Sequence, residues 1–460
     1  MLYYDCSQVD YNVRVVTIDR NLENAELWTL SLPNPNHVIP PPPVPTPGPP
    51  PPSELGPPIL PADDQSLLLL RNTRTLAGAY NAVVAINGYT WQGSWGASEA
   101  GHGTPTTSMY ATNMHLTYNT TFCDADASYD SESCHPDIRP CCKEVQMGFA
   151  PNQSGFLDVR RIAATDELQT APASPYRYNL YGSNTTVMSL DGGCMDAGIF
   201  DSDHYSMLGY SGTQVIFLIT DTESEPSELC GVLSNFGATE VVMQDSGHST
   251  QMFMQLANGQ SPTTFLDPSE ADRGVAYAIG LVNLYSMNLA NAGFEELRLQ
   301  DRQPVRVDNT SNSELEPGWK GHYMLHAIEA TASTGSTQAA ELRLTGAVDH
   351  ITQQFQAPPE TFCALHFRRG KNPADGCEET RLEIALQTTG SDGTLTTVED
   401  YIVYLDLDPV AADGSPMLIE DWVRFHTMTA NSTLMFGALT PGCGVFLDDV
   451  SIRCTKPLDP

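Results

Sequence analysis

Fifteen of the 29 residues from Pro33 to Pro61 are proline, with runs at Pro40–Pro43 and Pro49–Pro52 around Val44-Pro45-Thr46-Pro47-Gly48. Proline has no amide hydrogen, and its ring fixes φ at about −65°. This stretch is therefore excluded from helix interiors and central strands. What remains is polyproline II, extended at about 3.1 Å per residue. Such a rod satisfies none of its own carbonyls by ladder pairing, so it lies at a surface or against a partner. The flanking chain must fold around it. It reads either as a spacer inserted between early strands or as a glycan-bearing or partner-docking rod.

On the N-terminal side, Val13–Asp19 alternates and is β-branched, which predicts a strand, with Glu26–Leu32 as its expected partner. Beyond the rod, Leu67–Tyr80 has helical character. Ala82–Ile86 is a wholly apolar strand candidate that ends at Asn87-Gly88. Residues 92–200 are rich in Gly, Ser, Thr, Asp and Cys, and predict long loops and short strands stapled by disulfides. Ser224–Gly280 then carries three consecutive elements. Leu229, Val232, Leu233 and Phe236 fall on one helical face of Glu225–Phe236, with Ser224 as the expected N-cap and Gly237 as the stop. Thr239–Met243 is a short strand that runs into the polar turn Asp245-Ser246-Gly247-His248-Ser249-Thr250. Gln251–Leu256 is a second strand, and Asn258-Gly259 is a hairpin signal. This layout displays side chains at a strand end, where sites are commonly built.

Near Leu289 the texture changes to alternating strands at short spacing, with no helix signal. The expected architecture has two parts. Residues 1–287 form an α+β domain with a mixed sheet and few helices, interrupted by the 33–61 polyproline insertion. Residues 288–460 form an all-β sandwich of the jelly-roll type.

A chain of 460 residues exceeds one core, which fits two or three domains. Its net charge of −34 excludes nucleic-acid phosphates and anionic membranes as partners. Eleven cysteines and the five sequons at Asn119, Asn152, Asn184, Asn309 and Asn431 point to a secreted, disulfide-bonded glycoprotein. An odd cysteine count leaves one thiol free or intermolecular. Cys134, Cys141 and Cys142 lack the paired spacing of a zinc site. No apolar run reaches the ~20 residues of a membrane span. No leader opens the sequence, so one is expected upstream. Cys363 with Cys377, and Cys443 with Cys454, flank short turns and are the expected bridges.

The 224–280 stretch resembles the phosphodiester glycosidase family, the family of the uncovering enzyme. Phe236-Gly237-Ala238, the Gln244–Thr250 loop, Asn258-Gly259 and Arg273-Gly274-Val275-Ala276-Tyr277-Ala278 follow that family's order and spacing. Asn87-Gly88 matches the end of its apolar strand, with Trp91 at the aromatic position. Ser246 and His248 replace small flexible positions, Tyr89 replaces a glycine, and Tyr205 stands where the family has an arginine. The likeness runs more weakly from the N-terminus to about residue 285. It implies hydrolysis of a sugar-1-phosphodiester. Asp245 is then a catalytic carboxyl, His248 an acid–base group, and Asn87 a pocket residue. Arg273 either holds a phosphate or pairs with Asp245. Ser249 and Thr250 contact substrate. Glycoside hydrolysis commonly needs two carboxyls, and the second is not identifiable from sequence.

From Gly293-Phe294-Glu295 to Leu447-Asp448-Asp449-Val450-Ser451-Ile452, the chain resembles galactose-binding-like jelly rolls of the carbohydrate-binding-module type. That resemblance implies a carbohydrate or glycoconjugate partner and a structural Ca²⁺ held by Glu295 and Asp449. Trp319, Tyr323 and Trp422 are candidates to stack on sugar rings. Two functions compete. One is a secreted phosphodiester glycosidase with a carbohydrate-binding domain. The other is a catalytically lapsed subunit of an extracellular matrix, cell wall or surface fibre, assembled as a homo-oligomer through the polyproline rod. That rod resembles segments of hydroxyproline-rich wall glycoproteins.

Overall fold

A computed structural model of the chain describes residues 1–6, 12–33, 68–88, 91–93, 102–105, 109–111, 145–152, 155–162, 179–183, 186–188, 194, 203–255, 263–266, 273–290, 292–294, 304–309, 318–327, 338–343, 350–377, 379–389, 395–405, 408 and 417–456. Almost all of the polyproline stretch, Asn258-Gly259, Asn119, Asn184, Glu295 and four of the cysteines lie outside these residues. The chain divides into two compact units. One comprises Met1–Gln169, Tyr176–Asn283 and Leu458–Pro460, and the other Thr170–Pro175 and Leu284–Pro457.

The N-terminal unit is α+β. Its first sheet has six strands, in the order Leu2–Cys6, Val13–Asp19, Gln214–Thr220, Tyr205–Tyr210, Glu240–Ser246 and Thr186–Met188. A second sheet joins Thr263–Leu266, Gln251–Met254, Ala82–Asn87, the strand beginning at Ala278, and Ala25–Leu30. The parallel pairing that a mixed sheet would contain is not among the described pairs. Val16, Ile18, Leu208, Phe217 and Val242 of the first sheet share one core with Leu27, Val84, Ile86, Met252 and Ile279 of the second. On the other face of the first sheet, Val15, Met207, Ile216, Leu218 and Val241 pack with Leu229 and Leu233 of the helix Pro226–Asn235. A sheet covered on both faces needs continuous apolar strands, which is how Val215–Ile219 reads.

Three local expectations change. Val13–Asp19 pairs with Leu2–Cys6 and Gln214–Thr220, and its expected partner, observed as Ala25–Leu30, belongs to the other sheet. Strand choice here is set by a pairing some 200 residues distant, which local pattern does not contain. The helix Pro226–Asn235 is capped at Glu225 with no side-chain bond. Ser224 instead exchanges backbone hydrogen bonds with Asp203, and its hydroxyl donates to Thr222 O at 3.2 Å. Proline at the first helical position removes a donor that needs no cap. The stop is as expected: Gly237 has φ +90°, and Ala238 N donates to Leu233 O at 3.0 Å. Upstream, the expected helix shortens to Thr73–Ala79, with Asn72 Oδ1 accepting from Thr75 N at 2.8 Å.

The C-terminal unit is a jelly-roll sandwich. One sheet runs Val305–Asn309, Lys320–Ala327, Gln338–Arg343, Gly444–Thr455, Thr361–Lys371, Ile419–Thr427. The other runs His350–Gln356, Asn431–Ala438, Arg381–Thr389, Leu395–Tyr404, with Lys320-Gly321 pairing onto its first strand. Rings meet between them: Phe367 and Phe436 lie 5.5 Å apart, and Phe355 and Phe425 6.0 Å. Arg369, 1% exposed, is ion-paired within this unit to Asp408 and Asp421.

The disulfides here are Cys363–Cys454 and Cys377–Cys443. The expected pairs, 363 with 377 and 443 with 454, are wrong. Thr361–Lys371 lies antiparallel to Gly444–Thr455, with Cys363 directly opposite Cys454. The same pairing carries Lys371 to Val445, bringing the chain after one strand beside the chain before the other. Strand adjacency therefore decides the bridges. In the N-terminal unit Cys194 pairs with Cys230 on the helix.

Candidate functional site

The turn after Glu240–Ser246 is a single 3-10 turn, Gly247–Ser249, that carries the chain from the first sheet of the N-terminal unit to the second. It is clamped on both sides. On the first-sheet side, Gly247 N donates to His204 O at 2.8 Å, and Thr250 Oγ1 donates to the same carbonyl at 3.1 Å. Ser206 Oγ donates to Asp245 O at 2.8 Å. On the second-sheet side, Asp245 N donates to Gly88 O at 3.1 Å. Asn87 is fully buried: its Oδ1 accepts from Gln251 N at 3.0 Å and its Nδ2 donates to Gly88 O at 3.0 Å. Gly88 is pressed against Tyr277, since a Cβ there would fall 2.1 Å from the ring. Gln251, also buried, accepts from Thr73 N at 2.9 Å and donates to Arg273 O at 2.8 Å.

Asn87, Asp245, the Gly247–Thr250 turn and the Arg273 backbone thus come to one end of the two sheets. Their exposures differ. Asp245 is half-buried, with Oδ1 accepting from Ser246 N at 3.1 Å. Ser249 and Thr250 are each 2% exposed, so the Thr250 hydroxyl serves the backbone of His204. The His248 backbone lies within the 3-10 turn. Tyr205, where the family likeness implies an arginine, is 3% exposed and packs in the core with the helix.

Sequence reading missed two neighbours. Asp203 lies against the turn: a Cβ on Gly247 would come within 3.2 Å of its Oδ2. Beside it, His204 Nδ1 is 3.8 Å from Asp203 Oδ1. Asp203 is 41% exposed at its side chain and supplies a second carboxyl next to the Asp245 loop. Its only signal was an Asp-His pair ahead of a strand, which does not reveal a contact across about 40 residues.

In the C-terminal unit, the aromatic candidates lie inside. Trp319 is fully buried, stacked 5.5 Å from Phe294 and 5.9 Å from Phe436. Trp422 is 4% exposed, and its ring lies 5.2 Å from His366. Tyr323 is 3% exposed, 5.9 Å from Phe294. None presents a face to a ligand. Asp449 takes φ +48°, and its carboxylate sits 3.5 Å from Arg368 Nη1, with buried Asp448 3.7 Å from the same nitrogen. Arg368 thus already faces the Asp449 carboxylate that a Ca²⁺ would need. The start and end of the unit are joined by Val450 N donating to Ala292 O at 3.0 Å. Among the described residues no group of three or more His, Cys, Asp or Glu is placed to hold a metal ion.

Of the sequons, Asn431 is exposed at a strand start. Asn309 ends the Val305–Asn309 strand. Asn152 is not a glycosylation site in this fold. It is 2% exposed, and its Nδ2 donates to Leu22 O and to Ala25 O, the latter at 2.8 Å. A glycan would need that nitrogen exposed, so this sequon carries none in the folded chain.

No family profile matches the sequence, and no curated protein does. Solved structures give low-scoring similarities. The catalytic domain of zebrafish N-acetylglucosamine-1-phosphodiester alpha-N-acetylglucosaminidase, auto-inhibited by its pro-peptide, is 11% identical at TM-score 0.35, with 61% of this chain and 81% of that chain covered. The CBM22-1 xylan-binding domain from Paenibacillus barcinonensis Xyn10C is 11% identical at TM-score 0.22, with 35% and 99% covered. The active domain of bacteriophage CBA120 tailspike protein 4 is 10% identical at TM-score 0.24, with 36% of this chain covered. This chain spans 21% of that tailspike chain.

Proposed function

We propose that the N-terminal unit is a glycosidase-type hydrolase acting on a sugar-1-phosphodiester outside the cell, and that the C-terminal unit binds carbohydrate. The observation that carries the first part is the double clamp on the Asp245 turn. Backbone and side-chain bonds from both sheets hold one half-buried carboxyl at a strand end, with Asp203 beside the same turn. Two carboxyls flanking a sugar–oxygen bond are what glycoside hydrolysis commonly uses: one protonates the leaving oxygen, and the other activates water or attacks. Asp245 and Asp203 take these roles. Asn87, Ser206 and Gln251 are positioning residues, since their polar atoms are engaged in holding the turn. Disulfides in both units fit an oxidising compartment. Among the described residues no helix is long and apolar enough to cross a membrane.

The test is hydrolysis of a chromogenic sugar-1-phosphodiester. Asp245→Asn should lower kcat by at least about a hundredfold, the usual scale of an acid–base group, with melting temperature unchanged. Turnover by wild type that survives Asp245→Asn removes Asp245 from the chemistry.

A second reading is favoured by one observation: Tyr205, at the position where the family likeness implies a phosphate-clamping arginine, is buried in the core. On that reading the chain is a lapsed enzyme serving as a fibre subunit, docked through the polyproline rod. Deleting Val38–Pro58 separates the two. Loss of assembly with intact folded units supports the subunit, and unchanged oligomeric state with unchanged turnover supports the enzyme.

A further inference from the structure

A cleft of about 640 Å³ opens on the C-terminal unit, within the size range of small-ligand sites. Its floor lies on the second sheet. Lys320 stands opposite Thr352, and Gln354 opposite Thr433, on neighbouring strands. Along His350–Gln356, Ile351, Gln353 and Phe355 are buried while His350, Gln354 and Gln356 are exposed, so Thr352 and Gln354 face outward. Leu395, 51% exposed, adds an apolar surface.

Two polar atoms at this cleft are unbalanced. Thr433 is 3% exposed and Gln353 is 4% exposed, and both line the cleft. Thr433 Oγ1 and Gln353 Oε1 find no hydrogen-bond partner among the described residues. The Gln353 amide is oriented, because its Nε2 donates to Ala290 O at 2.8 Å. Buried polar atoms are nearly always paired, and each one left unpaired costs about 1–3 kcal/mol. Thr433 stands opposite outward-facing Gln354, so a ligand hydroxyl, which both donates and accepts, satisfies the Thr433 hydroxyl. Amides, hydroxyls and an aliphatic patch suit a sugar, with hydroxyls on the polar atoms and the ring's C–H face on Leu395. Among the described residues lining the cleft, Lys320 is the only one with a charged side chain. In a chain of net charge −34, an ammonium as the one charge among the described lining residues favours an anionic ligand.

We propose that this cleft binds an acidic glycan, with its carboxylate on Lys320 and its hydroxyls on Thr433 and Gln354. The proposal rests on the carbohydrate-binding reading of this unit and gives it a place and a ligand class. The buried aromatics Trp319 and Trp422 take no part.

The experiment is calorimetric titration of the full chain with tetragalacturonate and with its methyl ester, which keeps the sugar backbone and removes the charge. Neutral xylo- and galacto-oligosaccharides are titrated alongside. Wild type should bind the acid about tenfold or more tightly than the ester, the scale of one charge-assisted hydrogen bond. Lys320→Ala should abolish that difference. Thr433→Val should weaken the acid and the ester alike while the melting temperature stays level or rises, because it removes an orphaned hydroxyl; a purely structural threonine would lower it. Equal binding of acid and ester, or a preference that survives Lys320→Ala, overturns the proposal and leaves the carbohydrate-binding reading standing. No binding of any of these sugars overturns both.

Discussion

Both ends of the Asn87 amide are engaged by the fold, which makes it a clip between the sheets of its unit. Asn87→Ala would leave the buried Gln251 N–H without its acceptor, at a cost of about 1–3 kcal/mol. Urea denaturation should show that loss as a lower midpoint with an unchanged slope. Gly88→Ala drives a methyl into the Tyr277 ring, and overpacking of this kind costs about 1–3 kcal/mol. The double variant Gly88→Ala, Tyr277→Leu should recover part of it. A single Gly88→Ala variant as stable as wild type would contradict the contact. Asn87 and Asp245 were legible because an apolar strand ending in Asn-Gly and a polar turn after a β-branched run are local signals. Asp203, Ser206 and Gln251 were not. Ser206 reaches Asp245 across 39 residues and Gln251 reaches Asn87 across 164, and no local pattern encodes either contact. Trp319 and Trp422 were misplaced as ligand platforms because alternation alone does not say which face of a strand turns inward.

Elements were legible wherever their period was strong, and their partners were not. The strand expected over Thr239–Met243 and the helix at Pro226 follow from apolar spacing, although the strand runs on through Asp245 to Ser246. The neighbours of Val13–Asp19 and the bridges of the sandwich depend on which distant strands lie adjacent. One such adjacency carries a pH-dependent network. Glu341 accepts from Arg343 at 2.6 Å and from Asn372 at 2.7 Å, and lies 2.6 Å from His326. Burial alone would raise its carboxyl, but hydrogen bonds from His326, Asn372 and Arg343 outweigh burial and hold it at about 2. His366 is shifted the other way for a base: burial first, then Arg453 and Arg368, lower it to about 3. The signs agree. A depressed carboxyl gives stability that is present above its unfolded value of about 4.3 and lost as pH falls toward 2. A depressed histidine lets the unfolded state take up a proton first, so stability falls as pH drops from about 6.5 toward 3. The unit should therefore lose melting temperature in two stages on acidification. Glu341→Gln should be less stable at neutral pH and flatten the lower stage. A melting temperature constant from pH 7 to 3 would contradict both assignments.

At the scale of the whole molecule, the two-part reading, α+β followed by a jelly-roll sandwich, was legible because hydrophobic texture changes along the chain. The buried Arg369–Asp408–Asp421 cluster was not, since three charges in one interior are invisible until strands are placed. Asp421→Ala leaves the guanidinium short of a partner, and breaking such a cluster costs about 3–5 kcal/mol. Calorimetry of the full chain should show the sandwich transition move down while the N-terminal transition stays. The clamped turn of the N-terminal unit is the proposed hydrolytic site. The most direct measurement is kcat on a chromogenic sugar-1-phosphodiester for wild type, Asp245→Asn and Asp203→Asn, each checked for an unchanged melting temperature. Wild type should turn over, and each variant should lose at least about a hundredfold. Folded wild type that releases no product, or turnover untouched by both substitutions, would contradict it.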